Sequence, residues 1–131
     1  MALGKRNRAM DLVSFITLES GTDLIVSYAV CDPDGEGGIQ SLTILRTPKY
    51  EKFLYEWEQG ASVSFEREDD ADETNLLREV EYVPEEKTVT LRTEHRTYTL
   101  DLRKVDSSDL AGMCRVFRKI NFDSSITLRG I

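Results

Sequence analysis

The chain has one histidine, two cysteines, three prolines and one tryptophan in 131 residues. Each scarcity closes off some chemistry. A single imidazole, His95, builds neither a multi-histidine metal site nor a histidine-based nucleophile relay within one chain. It also stands in a predicted turn between Glu94 and Arg96, which is no setting for an enclosed general base. Cys31 and Cys114 make no Cys-x-x-Cys or other ligand spacing, and two thiols in a chain of this length are no disulfide framework. A reducing, cytoplasmic setting is expected, with both thiols in apolar surroundings. No apolar run nears the roughly 20 residues that cross a bilayer. The basic opening MALGKRNRAM is followed by an apolar stretch bracketed by Asp11 and Glu19, so neither a secretion signal nor a membrane partner is expected. A phosphate-cradling glycine loop is missing too, because Gly35-Glu36-Gly37-Gly38 precedes a strand pattern instead of a helix.

What is present is the composition of one globular domain, 40% hydrophobic and 31% charged. A chain this long buries roughly two-thirds of the surface that its unfolded form exposes. The net charge of −7 is uneven: residues 1–75 carry −8 and residues 76–131 carry +1. The densest acidic run, Glu66 to Glu73, has six acids in eight residues. It reads as a solvated loop, or more sharply as a docking surface for a basic partner.

Residues 12–19 and 24–31 are rich in β-branched and aromatic side chains and flank Ser20-Gly21-Thr22-Asp23, a hairpin signal. Residues 39–46 predict a third strand. Thr47-Pro48 then offers a helix start, and Tyr50, Phe53, Leu54 and Trp57 fall at the spacing of one buried helical stripe, with Gly60 placed to end it. Tyr55 lies off that stripe and is expected at the surface. Residues 61–66 return as a strand. The second half repeats the order, with strands at 77–83, 88–93 and 97–103, a helix capped by Ser107 or Ser108 and carrying Leu110, Met113, Cys114, Phe117 and Ile120 on one face, and a strand at 124–129. The expectation is therefore an α+β fold of antiparallel sheets from a degenerate β-β-β-α-β duplication, one helix per half. The pseudo-repeats run approximately over 11–66 and 76–131 in a single domain 1–131, joined by an acidic loop at 67–75.

The faces of the halves differ. Over residues 88–103, Val89, Leu91, Tyr98, Leu100 and Leu102 alternate with Thr, Arg and Asp, so one sheet face is wet. Over residues 24–31, Leu24, Val26, Tyr28 and Val30 alternate with Ile25, Ala29 and Cys31, so both faces are apolar and a partner subunit is one candidate for the second cover.

Cys31-Asp32-Pro33-Asp34-Gly35-Glu36-Gly37-Gly38-Ile39 begins as a calcium loop does, with Asp32, Asp34 and Glu36 as weak metal candidates. The twelfth position is Thr43 instead of a bidentate glutamate and the flanks are strands, so a hairpin turn without metal is the better reading. No cofactor is expected.

Arg92, Arg96, Arg103, Lys104, Arg115, Arg118 and Lys119 gather in the second half and are the candidates for a nucleic-acid face, against an overall charge of −7. In element arrangement alone the chain resembles the duplicated four-strand-plus-helix modules of PUR and whirly proteins. That resemblance implies single-strand binding and transfers no residue. A third reading is an acidic neutraliser of the immunity or antitoxin kind that masks a basic protein. The reading preferred from sequence is a non-enzymatic protein-binding or assembly module, as a homodimer.

Overall fold

The computed structural model describes residues 10–33, 38–68 and 74–131. Strands form where β-branched and aromatic residues alternate with polar ones: β1 (Asp11–Ser20), β2 (Leu24–Cys31), β3 (Ile39–Arg46), β4 (Ser62–Phe65), β5 (Leu77–Val83), β6 (Thr88–Thr93), β7 (Thr97–Asp101) and β8 (Thr127–Arg129). The α-helix, α1, spans Ser107–Ile120. Its N-cap is Asp106, without a side-chain cap bond, so Ser107 and Ser108 are the first helical residues and not caps. The class is α+β, as expected.

The strands make one eight-stranded sheet in the order β4-β3-β2-β1-β7-β6-β5-β8. It is mixed, since β1 runs parallel to β7 and β5 parallel to β8, which corrects the expectation of purely antiparallel sheets. Ser62 bridges Leu76, with Val63 N–H donating to Asn75 O and Leu77 N–H to Ala61 O, both at 2.8 Å. The sheet thus curls until its outer strand β4 meets the chain entering β5.

Inside that curl lies one core drawn from both halves. It holds Val26, Tyr28, Leu42 and Ile44 from the first, and Val80, Leu91, Leu100, Met113, Phe117 and Ile120 from the second. The α1 helix packs on the concave side against β1 and β2. Tyr28 donates its hydroxyl to Met113 Sδ at 3.2 Å, and a Cβ on Gly112 would stand 2.7 Å from Leu18, so small size at that position sets the approach of helix to strand.

The expected duplication is not in the topology. A repeat would place β8 beside β7, as β4 sits beside β3, yet β8 lies beside β5. Parallel pairing needs a crossover, and the 14 residues of α1 supply it. Residues 47–61 have no such distance to cover, because they join antiparallel neighbours, β3 and β4.

The first predicted helix is likewise corrected. Pro48–Phe53 and Glu56–Glu58 are 3₁₀ turns with no buried residue, separated by extended backbone at Leu54 and Tyr55. The helical spacing of Tyr50, Phe53, Leu54 and Trp57 finds no place in the core, since α1 already fills the concave side of the sheet, and all four side chains are exposed. A helix this short holds together only through tertiary packing.

Candidate functional site

The chain between β3 and β4 forms a strap, residues 47–60, fastened at its base. Arg46, the last residue of β3, is 3% exposed. Its Nη1 donates to the carbonyl oxygen of Ile120 at 2.9 Å, and its Nη2 to Glu51 at 3.0 Å and to Asp123 at 2.8 Å. The guanidinium also lies 4.2 Å from the centre of the Phe122 ring. Burial opposes the Arg46 charge, but hydrogen bonds to Glu51 and Asp123 outweigh it and raise the guanidinium pKa well above its ordinary value. Arg46 thereby ties strand, strap and helix end together. Thr47 adds a second tie, donating its hydroxyl to Asp23 at 2.7 Å.

What this clip holds up is apolar. Tyr50, Phe53, Leu54, Tyr55 and Trp57 are between 45% and 75% exposed, within eight residues of chain. The Tyr55 and Trp57 rings stack at 5.8 Å with 4° between planes. Lys49 and Lys52 lie over the rings of Tyr50 and Phe53 at 5.5 Å and 5.4 Å. An open groove of about 540 Å³ runs beneath the strap, with Tyr50 and Leu54 on one wall, Leu45, Ser62 and Ser64 of the sheet on its floor, and Asp23, Glu51 and Glu58 as its charged residues.

The groove opens onto the convex face of β1 to β4. Cross-strand partners there form rows: Glu19, Ile25, Leu45 and Ser62; Thr17, Ser27, Thr43 and Ser64; Phe15, Ala29 and Ser41; Cys31 and Ile39. A β-bulge between Val13 and Phe15 turns Phe15 outward while Val13 and Ile16 both stay in the core. Phe15 and Ile39 are about half exposed, at 51% and 49%. The charges here are Glu19 and Glu66, which continues the third row beside Ser41 at the sheet edge.

Over β5 to β8 the same convex face is laced with ions. Arg92 bonds Glu79 at 2.9 Å and Glu81 at 3.2 Å, Arg129 pairs with Glu79 at 3.2 Å, and Arg103 with Asp101 at 3.3 Å. Among the described residues, the exposed large apolar side chains are those of the strap, Phe15, Ile39 and Leu45 on the neutral face, and Phe122 under Arg46. The molecule has a contact side and a wet side.

The structure does not gather the seven basic candidates. Arg92 leaves from the convex face, paired with Glu79 and Glu81, whereas β7 ends at Asp101, short of the expected 103, and leaves Arg103 in the turn before α1, paired with Asp101; Arg96 pairs with Glu68 at 3.4 Å. Lys104 is exposed in the turn before α1. Arg115, Arg118 and Lys119 belong to α1, on the other side of the sheet, where Lys119 donates to Ser20 at 2.6 Å.

Of the metal candidates, Asp34 and Glu36 lie outside the described residues. Asp32 closes the hairpin by donating its backbone N–H to Gly38 O at 3.0 Å. Among the described residues no three His, Cys, Asp or Glu side chains gather as a cation site. His95 is exposed at the β6–β7 turn, where its backbone N–H donates to Asn75 Oδ1 at 3.3 Å.

A hollow of about 340 Å³ between α1 and the β5–β6 turn is lined by Tyr82, Lys87 and Cys114. Burial pushes the Cys114 thiol and the Tyr82 phenol up, away from their reactive anions. Both cysteines are free and partly buried. No described helix is long and apolar enough to cross a membrane.

Of the strap aromatics, Tyr50, Phe53 and Trp57 were read from the sequence as core and are exposed, while Tyr55 was expected at the surface and is there. The signal against burial was their interleaving with Glu51, Lys52, Glu56 and Glu58, which leaves a helix there only a narrow apolar stripe. The signal for the neutral face was the doubly apolar β2. Protein-family models, curated proteins and solved structures hold no match to this chain.

Proposed function

We propose that this chain is a non-enzymatic protein-binding and assembly module, and that its docking element is the strap of residues 47–60 with the groove beneath it. The observation that carries the reading is the exposure of five large apolar side chains from Tyr50 to Trp57 on a segment clipped in place by buried Arg46. Aromatic residues are enriched where protein interfaces draw their affinity, and clustered exposure on this scale marks a contact surface. Preorganisation by the Arg46 clip lowers the ordering cost of docking. The acids that line the groove favour a partner with cationic groups beside its apolar ones. The free thiols of Cys31 and Cys114 suit the cytoplasm.

Affinity capture with the wild-type chain and with a Phe53→Ser/Trp57→Ser double variant tests this, provided that both show the same far-ultraviolet circular dichroism. A defined protein held by the first and lost by the second is the expected result. Equal capture by both overturns the reading.

A further inference from the structure

The convex face of β1 to β4 continues from the groove as a second feature of the contact side. It is open sheet whose charges, Glu19 and Glu66, stand at its edges, and apart from the strap above Leu45, Ser62 and Ser64 no described element packs on it. We infer that its occupant is a second copy of this chain, sheet face against sheet face. The inference rests on the docking reading only in taking the same side of the molecule as the contact side.

Three observations select a second copy. The first is charge. Two copies each carrying −7 repel wherever their acids meet, and among the described residues the rows of this face hold two acids, Glu19 and Glu66, both at its edges. The second is self-complementarity. A two-fold interface presents the same patch to itself, which suits rows of hydroxyl and apolar side chains such as Ser27, Thr43, Phe15 and Leu45. The ion-laced face of β5 to β8 is already satisfied within one chain. The third is area. Three strands of about eight residues and the shorter β4, at strand spacings of about 4.8 Å and a rise of about 3.3 Å, project roughly 450 Å² per copy. A pair that covered the whole of both projections would remove roughly 900 Å² before side-chain relief is counted, close to the roughly 1,000 Å² that a specific interface needs.

Thr43 lies in the middle row, its hydroxyl 2.9 Å from that of Ser27, with its side chain pointing away from the core. A charge there meets its own copy across the two-fold axis and leaves the monomer's packing alone. Light scattering coupled to size exclusion, over a rising concentration series, should find the wild-type chain at twice its chain mass. Thr43→Lys and Thr43→Glu should each run at single mass with unchanged melting, and their equimolar mixture should recover the double mass. Phe15→Glu, at the other end of the face, should also run at single mass.

A wild-type chain that stays at single mass across the series overturns the second-copy assignment and leaves the strap reading to its own capture test. A dimer that survives Thr43→Lys and Phe15→Glu overturns it as well. If that dimer is lost instead in Phe53→Ser/Trp57→Ser, self-association runs through the strap. Double mass in the strap variant, with single mass in the Thr43 variants, supports the sheet face as the dimer contact and the strap as free for another protein.

Discussion

Arg46, at the end of β3, donates a hydrogen bond of 2.9 Å to the carbonyl oxygen of Ile120, the last residue of α1. A helix C-terminus leaves carbonyls without intrahelical donors and carries partial negative charge, so a buried guanidinium there satisfies both. The same group holds Glu51 of the strap and Asp123 after the helix. One side chain therefore sets the position of the docking element relative to the core.

Replacing Arg46 by methionine should cost about 2 kcal/mol in urea unfolding, less than the roughly 3–5 kcal/mol of breaking a fully enclosed pair, because one of the abandoned carboxylates, Asp123, is 41% exposed and can reach water. The strap should loosen more than the fold. Trp57 is the one tryptophan, so a drop in its fluorescence anisotropy at native circular dichroism is the expected sign.

Acid should undo the same clip. Hydrogen bonds from Arg46 hold the Asp123 carboxyl well below its ordinary value of 3.8, against the opposing effect of burial. A folded value below the unfolded one makes this group's stabilisation complete above pH 3.8 and progressively lost as pH falls toward the folded value. Wild type should therefore be more stable than Asp123→Asn near neutral pH, and the two should converge on acidification. Urea midpoints measured across the acid range check the sign. A gap that widens at low pH would contradict it.

The strap substitutions should leave stability alone. Phe53 and Trp57 are exposed, so the double change to serine should shift the unfolding free energy by no more than about 0.5 kcal/mol per site. If these rings were core, each truncation would cost about 3–5 kcal/mol. Thermal melting separates the two cases directly.

Gly130 is a point of close approach. A Cβ there would lie 1.9 Å from the carbonyl oxygen of Tyr82, and the backbone φ of +78° already disfavours other residues. Gly130→Ala should cost about 1–3 kcal/mol. It should also free the last residues from β5, read as faster amide exchange in Thr127–Arg129 than elsewhere in the sheet.

Much of the secondary structure was legible because it is written locally. Residues 24–31, 39–46, 77–83 and 88–93 matched their strands, and the 3.6-residue spacing of Leu110, Met113, Phe117 and Ile120 matched α1. Tyr50, Phe53, Leu54 and Trp57 have a similar spacing and form no helix. A periodic stripe shows which face would bury, and says nothing about whether a surface is free to receive it. Phe15 shows the same limit in a strand: the bulge after Val13 reverses the expected alternation, and sequence alone does not place a bulge.

The site was legible in part. The doubly apolar β2 led to an expectation of cover on both faces, and the structure shows one of them open, bordered by Phe15, Ile39 and Leu45. The seven basic residues were near one another in sequence, but the sheet separates Arg92 from Arg115, Arg118 and Lys119. Proximity along the chain does not survive a helix crossing to the other side of a sheet.

The sequence by itself determined the class, most of the strands, the helix that carries Leu110 to Ile120 and the uneven charge, since these follow from side-chain pattern over a few residues, and it also predicted a second helix after Thr47 that does not form. Tertiary structure alone decided the strand order, the parallel seat of β8 beside β5, and the exposure of the strap. The physical reason is competition for the one concave surface of the sheet. With α1 packed there against Tyr28 and Leu18, the stripe at 50–57 was left outside, and what reads locally as core became the surface offered to a partner.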